Sequence, residues 1–218
     1  MGTLKASIKY APYYVAMCGY IYRDCLFDWK YGVETRSRVS LADLNIESES
    51  KTLGRNYGPS DPGIFKEMLS CIKVKYEDFT FIDFGSGKGR VVLMASELPF
   101  KRIIGVEFSA QLNKVTRNNI DHYKSRTQKC RKIELIEADV TTYELPLEQA
   151  ILYLFNPFNE LIMAKLLANI QRSLAECPRK VFVASLYCVP EVNQLLESSN
   201  FLNKVASADY YSIYQNRG

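Results

Sequence analysis

"FIDFGSGKGR", Phe81 to Arg90, joins an apolar run to three glycines at alternate positions, Gly85, Gly87 and Gly89. A buried strand that ends in such a turn and runs on into "VVLMA" is the opening unit of an open, wound sheet. Working outward, apolar runs alternate with helical patterns from residue 79 onward. That alternation predicts strands at Thr80–Phe84, Arg102–Glu107, Ile133–Ala138, Ala150–Phe155 and Lys180–Leu186, then a closing pair at Leu202–Ala206 and Tyr210–Tyr214. Helices are expected between them at Gly89–Leu98, Ser109–His122, Glu160–Leu174 and Glu191–Ser198. The fold class is therefore α/β: a doubly wound, seven-strand, mostly parallel sheet with an antiparallel last strand.

Upstream, "SDPGIFKEMLSCI" (60–72) reads as a helix with Asp61 as N-cap, Pro62 at its first position, and Ile64, Phe65, Met68, Leu69 and Ile72 on one face. Residues 1–58 lack the alternation and hold an aromatic cluster, Tyr10, Tyr13, Tyr14, Tyr20, Tyr22, Phe27, Trp29 and Tyr31, followed by the polar stretch "LNIESESKTLGRN". Two parts are expected: an aromatic-rich N-terminal helical cap and cofactor-lid segment (1–58), and a ligand-binding domain (59–218).

Glycine-rich turns hold phosphates, dinucleotides and S-adenosylmethionine alike. A P-loop needs Ser or Thr after its lysine, but Gly89 follows Lys88. The GxGxxG fingerprint needs a third glycine where Arg90 stands. What remains is DxGxGxG, Asp83 through Gly89. Glu107 ends the next strand, "RIIGVE", 22 positions beyond Gly85, where a carboxylate can accept hydrogen bonds from both hydroxyls of a ribose. Asp139, in "IELIEADVT", ends the third strand and is placed to meet an adenine amino group. Three loops at adjacent strand ends thus describe one nucleoside site.

The ordered set DFGSGKG, GVE, EADV and LFNPF resembles that of class I, seven-strand S-adenosylmethionine-dependent methyltransferases, over roughly residues 55 to 215. "FDWKYGVETRSRVSLADL" (27–44) is similar to the leading segment of functionally uncharacterised bacterial members. The resemblance implies S-adenosylmethionine as cofactor. It also implies that Asp83 and the turn Gly85, Ser86, Gly87 and Gly89 hold the methionine part, Glu107 the ribose, Phe108 an adenine face, and Asp139 with Val140 its edge. "LYLFNPF", with Asn156, Pro157 and Phe158, is similar to the [DN]PP[FY] motif of amino-group methyltransferases, in which a polar side chain accepts from the target nitrogen and a ring stacks on it. One proline is missing, which weighs against adenine or cytosine as acceptor. "NYGPSDPG" (56–63) resembles loops before the core of seven-strand protein lysine methyltransferases, which puts the Tyr57 ring near the sulfonium. The resemblance thus implies an enzyme acting on an unidentified acceptor, with a protein lysine amine favoured over a nucleic acid or small molecule. A catalytically silent cofactor-binding scaffold is the alternative.

Composition limits the partners. The 218 residues carry 47% hydrophobic and 24% charged side chains, which suits a globular chain. A formal charge of +4 is too mild to indicate nucleic acid by itself. The basic run Lys124, Arg126, Lys129, Arg131 and Lys132 reads as a solvated loop before a phosphate-binding patch. Lys88 and Arg90 are expected to be solvated. Six scattered cysteines and a single histidine, His122, offer no zinc-ligand spacing, so no metal is expected, and reduced thiols predict a cytoplasmic protein. The uncharged run from Tyr10 to Tyr22 is too short to span a bilayer and is broken by Pro12, and no export or anchoring signal is expected. The oligomeric state stays open.

Overall fold

The computed structural model describes residue 19 and residues 21–45, 54–156 and 158–217. A first helix, α1, covers residues 21–31. The core follows as α2 (Pro62–Ser70), β1 (Thr80–Phe84), α3 (Arg90–Ala95), β2 (Arg102–Glu107), α4 (Ala110–His122), β3 (Ile133–Glu137), β4 (Ala150–Phe155), α5 (Glu160–Glu176), β5 (Val181–Leu186), α6 (Pro190–Ser198), β6 (Leu202–Ala208) and β7 (Tyr211–Asn216). The sheet has seven strands in the order β3-β2-β1-β4-β5-β7-β6. β1 to β5 are mutually parallel, and β7 runs antiparallel to both β5 and β6. The expected fold class and the closing hairpin are thus present.

β1 is buried along its full length because helices cover both sheet faces, as a central parallel strand requires. Phe81 and Tyr153 point to one face, into a core shared with Phe65, Met68, Leu69 and Val92 of α2 and α3. Their neighbours Ile82, Phe84, Leu152 and Leu154 point to the other, against Ile162, Met163, Leu166 and Ile170 of α5. The period-2 reversal of side chains thus feeds two cores from one strand. β1 has β2 on one side and β4 on the other, so the chain's winding reverses there and opens a crevice at the carboxyl ends of the two strands.

α2 starts as its sequence predicts, with Asp61 Oδ1 accepting from the N–H groups of Gly63 and Ile64. α3 is shorter than expected. It ends at Ala95 because the Ser96 hydroxyl bonds back to the Leu93 carbonyl, while the Ser96 carbonyl accepts from Lys129 and Cys130 N–H. No local pattern announces that distant pair of donors. Phe27 of α1 joins the core cluster of α2 and α3, which seats this helix on the domain. The expected aromatics Tyr10, Tyr13, Tyr14 and Tyr20 lie outside the described residues.

Candidate active site

The turn after β1 is left-handed at three places, with φ of 76° at Gly85, 54° at Gly87 and 81° at Gly89. Only glycine adopts this without strain. At Gly87 and Gly89 the space is also taken. A Cβ on Gly87 would stand 2.2 Å from Cδ2 of Tyr57, and one on Gly89 would stand 2.4 Å from Cγ2 of Thr116. Part of what comes so close to the backbone is therefore the protein itself: the Tyr57 ring lies on the turn.

Glu107 ends β2, 4% exposed, with Oε2 accepting from Gly87 N–H at 2.9 Å and Oε1 from Ser109 N–H at 3.0 Å. Burial raises its carboxyl above the ordinary value, and the backbone donors of Ser109, Gly87 and Phe108 pull the other way. Each oxygen keeps a lone pair for one ribose hydroxyl. Asp83, at the end of β1, is also buried, and no described residue donates a hydrogen bond to its carboxyl. Desolvation first, and then the Glu107 charge, push it well up. A cation such as the methionine ammonium would favour the ionised carboxylate and so oppose both causes.

These groups line a cleft at the carboxyl ends of β1, β2 and β4, which also takes in Phe108, Asp139, Val140, Tyr153, Phe155, Asn156 and Phe158. Its mixed polar and apolar lining suits a nucleoside with an amino-acid tail. Asp139 Oδ1 is committed to a local turn, accepting from both Thr141 N–H at 2.8 Å and Thr141 Oγ1 at 2.7 Å. Phe108 packs with Leu41, Leu44 and Leu112 on one wall. Ser86 is buried, and its hydroxyl has no partner among the described residues.

Asn156 follows β4 directly with φ of 39°, a left-handed backbone that asparagine tolerates better than most residues. Its N–H donates to the Leu186 carbonyl at 3.1 Å, and its buried side-chain Oδ1 has no partner among the described residues. Phe158 is buried and pairs with Gly54 in an isolated antiparallel bridge, which brings the segment before Tyr57 to the same rim. Pro157 lies outside the described residues. All other expected site residues line this one cleft except Gly89, which packs against Thr116.

Two expectations are overturned. Lys88 and Arg90 are not solvated: they are 5% and 1% exposed. Lys88 Nζ binds both carboxylate oxygens of Glu34 at 2.8 and 2.9 Å, and the Arg90 guanidinium pairs with Asp24 and Asp28. The segment from α1 to residue 39 carries these acids over the start of α3, and buried cations require such partners. His122 is exposed at the end of α4, and Lys124, Arg126, Lys129, Arg131 and Lys132 are exposed after it.

Several contacts of the site escape sequence reasoning. The Tyr57 hydroxyl donates to the Thr35 carbonyl at 2.7 Å, and the Tyr153 hydroxyl to Ser60 Oγ at 3.0 Å. Next to Phe155 of the cleft wall, Tyr187 is held at φ of 50°, strained for a bulky residue, with its ring 5.9 Å from that of Phe155 and 5.3 Å from that of Tyr210. Tyr187 and Tyr210 are exposed. A bare tyrosine carries no signal of these contacts; only the positive φ, invisible in sequence, marks one of them. Among the described residues no cluster of His, Cys, Asp and Glu suits a metal ion, and no helix is long and apolar enough to cross a membrane.

Solved structures share this architecture at low identity. A predicted N6-adenine-specific DNA methylase from Listeria monocytogenes has 12% identity over 73% of this chain and 52% of its own, with a TM-score of 0.53. The pyocyanin biosynthetic protein PhzM has 15% over 70% and 54%, with a TM-score of 0.51. Both likenesses concern the fold alone. Among characterised proteins, the Drosophila melanogaster "Histone-lysine N-methyltransferase, H3 lysine-79 specific" is 48% identical over 52 residues, 23% of this chain. The chain spans only 3% of the length of that relative. The family model described as "Histone methylation protein DOT1" matches residues 42–203, which include the glycine turn, Glu107, Asp139 and Asn156. The chain belongs to the DOT1 histone methylation protein family and has the fold of an S-adenosylmethionine-dependent methyltransferase.

Proposed function

We propose that the protein moves the methyl group of S-adenosylmethionine to the side-chain amine of a lysine in another protein. The observation that carries this reading is Asn156: a buried side-chain carbonyl oxygen without a partner among the described residues, just after β4, on the wall of the cofactor cleft. An amine that donates N–H to this oxygen has its lone pair left to attack, and a hydrogen bond made only in that pose favours the reaction. Membership of a histone methylation family and the lysine specificity in the name of the Drosophila relative support a protein amine. The exposed ring of Tyr187, next to Phe155 of the cleft wall, offers a face to an arriving ammonium.

In the same reading Glu107 holds the ribose, Asp83 and the Gly85–Gly89 turn the methionine part, Phe108 and Val140 the adenine, and Tyr57 covers the turn. When bound, the cofactor supplies an activated methyl on a sulfonium. The protein's task is alignment at about 3 Å and exclusion of water. We also propose a cytoplasmic location, on cysteines that are scattered in the sequence and free among the described residues, and cell fractionation tests that point.

The test is incubation with methyl-labelled S-adenosylmethionine and a cell lysate, followed by acid hydrolysis. Label recovered as methyllysine, and lost with the Asn156→Gly variant, supports the proposal. Label in nucleic acid or small molecules, with none in protein, refutes it.

A further inference from the structure

Arg90 is one of the most deeply buried side chains in the molecule, and the cofactor reading of the cleft gives it no task. Its guanidinium lies 4.7 Å over the Phe27 ring and faces Asp24 and Asp28, while Nε donates to Thr35 Oγ1 at 2.7 Å. Thr35 is completely buried. Its hydroxyl donates to Asp28 Oδ1 at 2.6 Å, and its N–H donates to Asp28 Oδ2 at 2.8 Å. The Thr35 carbonyl then accepts the Tyr57 hydroxyl at 2.7 Å. Four residues further on, Val39 pairs with Tyr57 through both backbone hydrogen bonds, at 2.9 and 3.3 Å. Every described hydrogen bond that fixes Tyr57 thus comes from the segment 35–39, and Arg90 anchors the start of that segment through Thr35 and Asp28. Lys88, on the other side of Gly89, anchors it again through Glu34 and Ser37.

We propose that Arg90 is a positioning residue for the cofactor: through Thr35 it holds the Tyr57 ring against Gly87, so that the turn and its cover form one unit. The cation and the turn belong to the same stretch of seven residues, Gly85 to Val91, so the segment that supplies the cover is tied to the surface it covers. This rests on the cofactor reading of the cleft and is independent of the acceptor. A merely structural ion pair would stabilise the fold without regard to Tyr57; a positioning residue acts on the cofactor only while the Tyr57 ring is there.

A double-mutant cycle separates the two. Calorimetry with S-adenosylhomocysteine should show Arg90→Gln weakening binding ~10-fold in the native background and less than ~2-fold in the Tyr57→Ala background. The urea midpoint should fall equally in both. Equal loss of affinity in both backgrounds, or unchanged affinity in folded Arg90→Gln, overturns the proposal. If Arg90→Gln does not fold, Thr35→Val removes the hydroxyl that Arg90 grips at nearly constant volume. Its ~3-fold loss should vanish in the Tyr57→Ala background, and persistence there overturns the proposal. Failure of the wild type to bind S-adenosylhomocysteine would instead overturn the cofactor reading itself, leaving the distinction between the two failures clear.

Discussion

Glu107→Gln should abolish most cofactor affinity while leaving the empty fold nearly as stable. The carboxylate uses one oxygen for Gly87 N–H and the other for Ser109 N–H. Glutamine has one acceptor oxygen and an amide NH2, so one of the two backbone donors must face another donor. A buried donor left without an acceptor costs about 1–3 kcal/mol. Against this stands the loss of a buried negative charge beside Asp83, whose own carboxyl is held up by desolvation and then by the Glu107 charge. The two effects oppose each other, so the melting temperature should move by less than ~4 °C. Binding has no such offset: two ribose hydroxyls lose a charged acceptor, and only one finds a neutral replacement. A loss of about 3 kcal/mol corresponds to a Kd raised ~100-fold. Calorimetry with S-adenosylhomocysteine and a thermal melt on the same preparation read both quantities. A folded variant that binds within threefold of the wild type refutes the assignment of Glu107 to the ribose.

Three further outcomes follow from named contacts. Gly87→Ala puts a methyl 2.2 Å from the Tyr57 ring at a φ of 54°, and should cost about 2–3 kcal/mol of stability in urea titrations. Within the Tyr57→Ala background the added cost of Gly87→Ala should fall by half or more, because only the backbone strain remains there. Asn156→Gly keeps the left-handed backbone and deletes the amide, so kcat should fall about 10- to 100-fold with cofactor Kd within threefold; a parallel loss of Kd would move Asn156 from the acceptor to the cofactor. Burial alone would raise the Glu148 carboxyl, but hydrogen bonds from Lys101, Thr80 and Arg102, with the Arg102 charge, bring it down to about 2 from an ordinary 4.5. A lowered carboxyl stabilises the fold above its unfolded value, and this contribution is lost as pH falls from 4.5 toward 2. The urea midpoints of wild type and Glu148→Gln should therefore differ at pH 6 and converge toward pH 3, and a constant difference would refute the cause.

The sequence by itself determined the sheet and the place of the site, and the reason is local. Thr80–Phe84 is apolar at every position but Thr80 and Asp83, and only glycine suits the three left-handed positions that follow, so strand, turn and helix are all written within a dozen residues. Glu107 and Asp139 were legible for the same reason, since each ends an apolar strand and parallel strands deliver their ends to one edge. What occupies the space around those glycines was not local. The Tyr57 ring and Thr116 reach them from 30 residues before and 27 residues after in the chain, positions that no period or motif couples. Lys88 and Arg90 show the limit most clearly. Next to a glycine turn their sequence reads as a solvated helix start, and only the folded segment from Asp24 to Ser37 brings three carboxylates over them. A charge is buried or solvated according to partners distant in sequence, because the desolvation cost is met only where opposite charges converge in space. The strand ends were therefore fixed by sequence, while the tertiary structure alone decided that the cover over them hangs from a buried arginine.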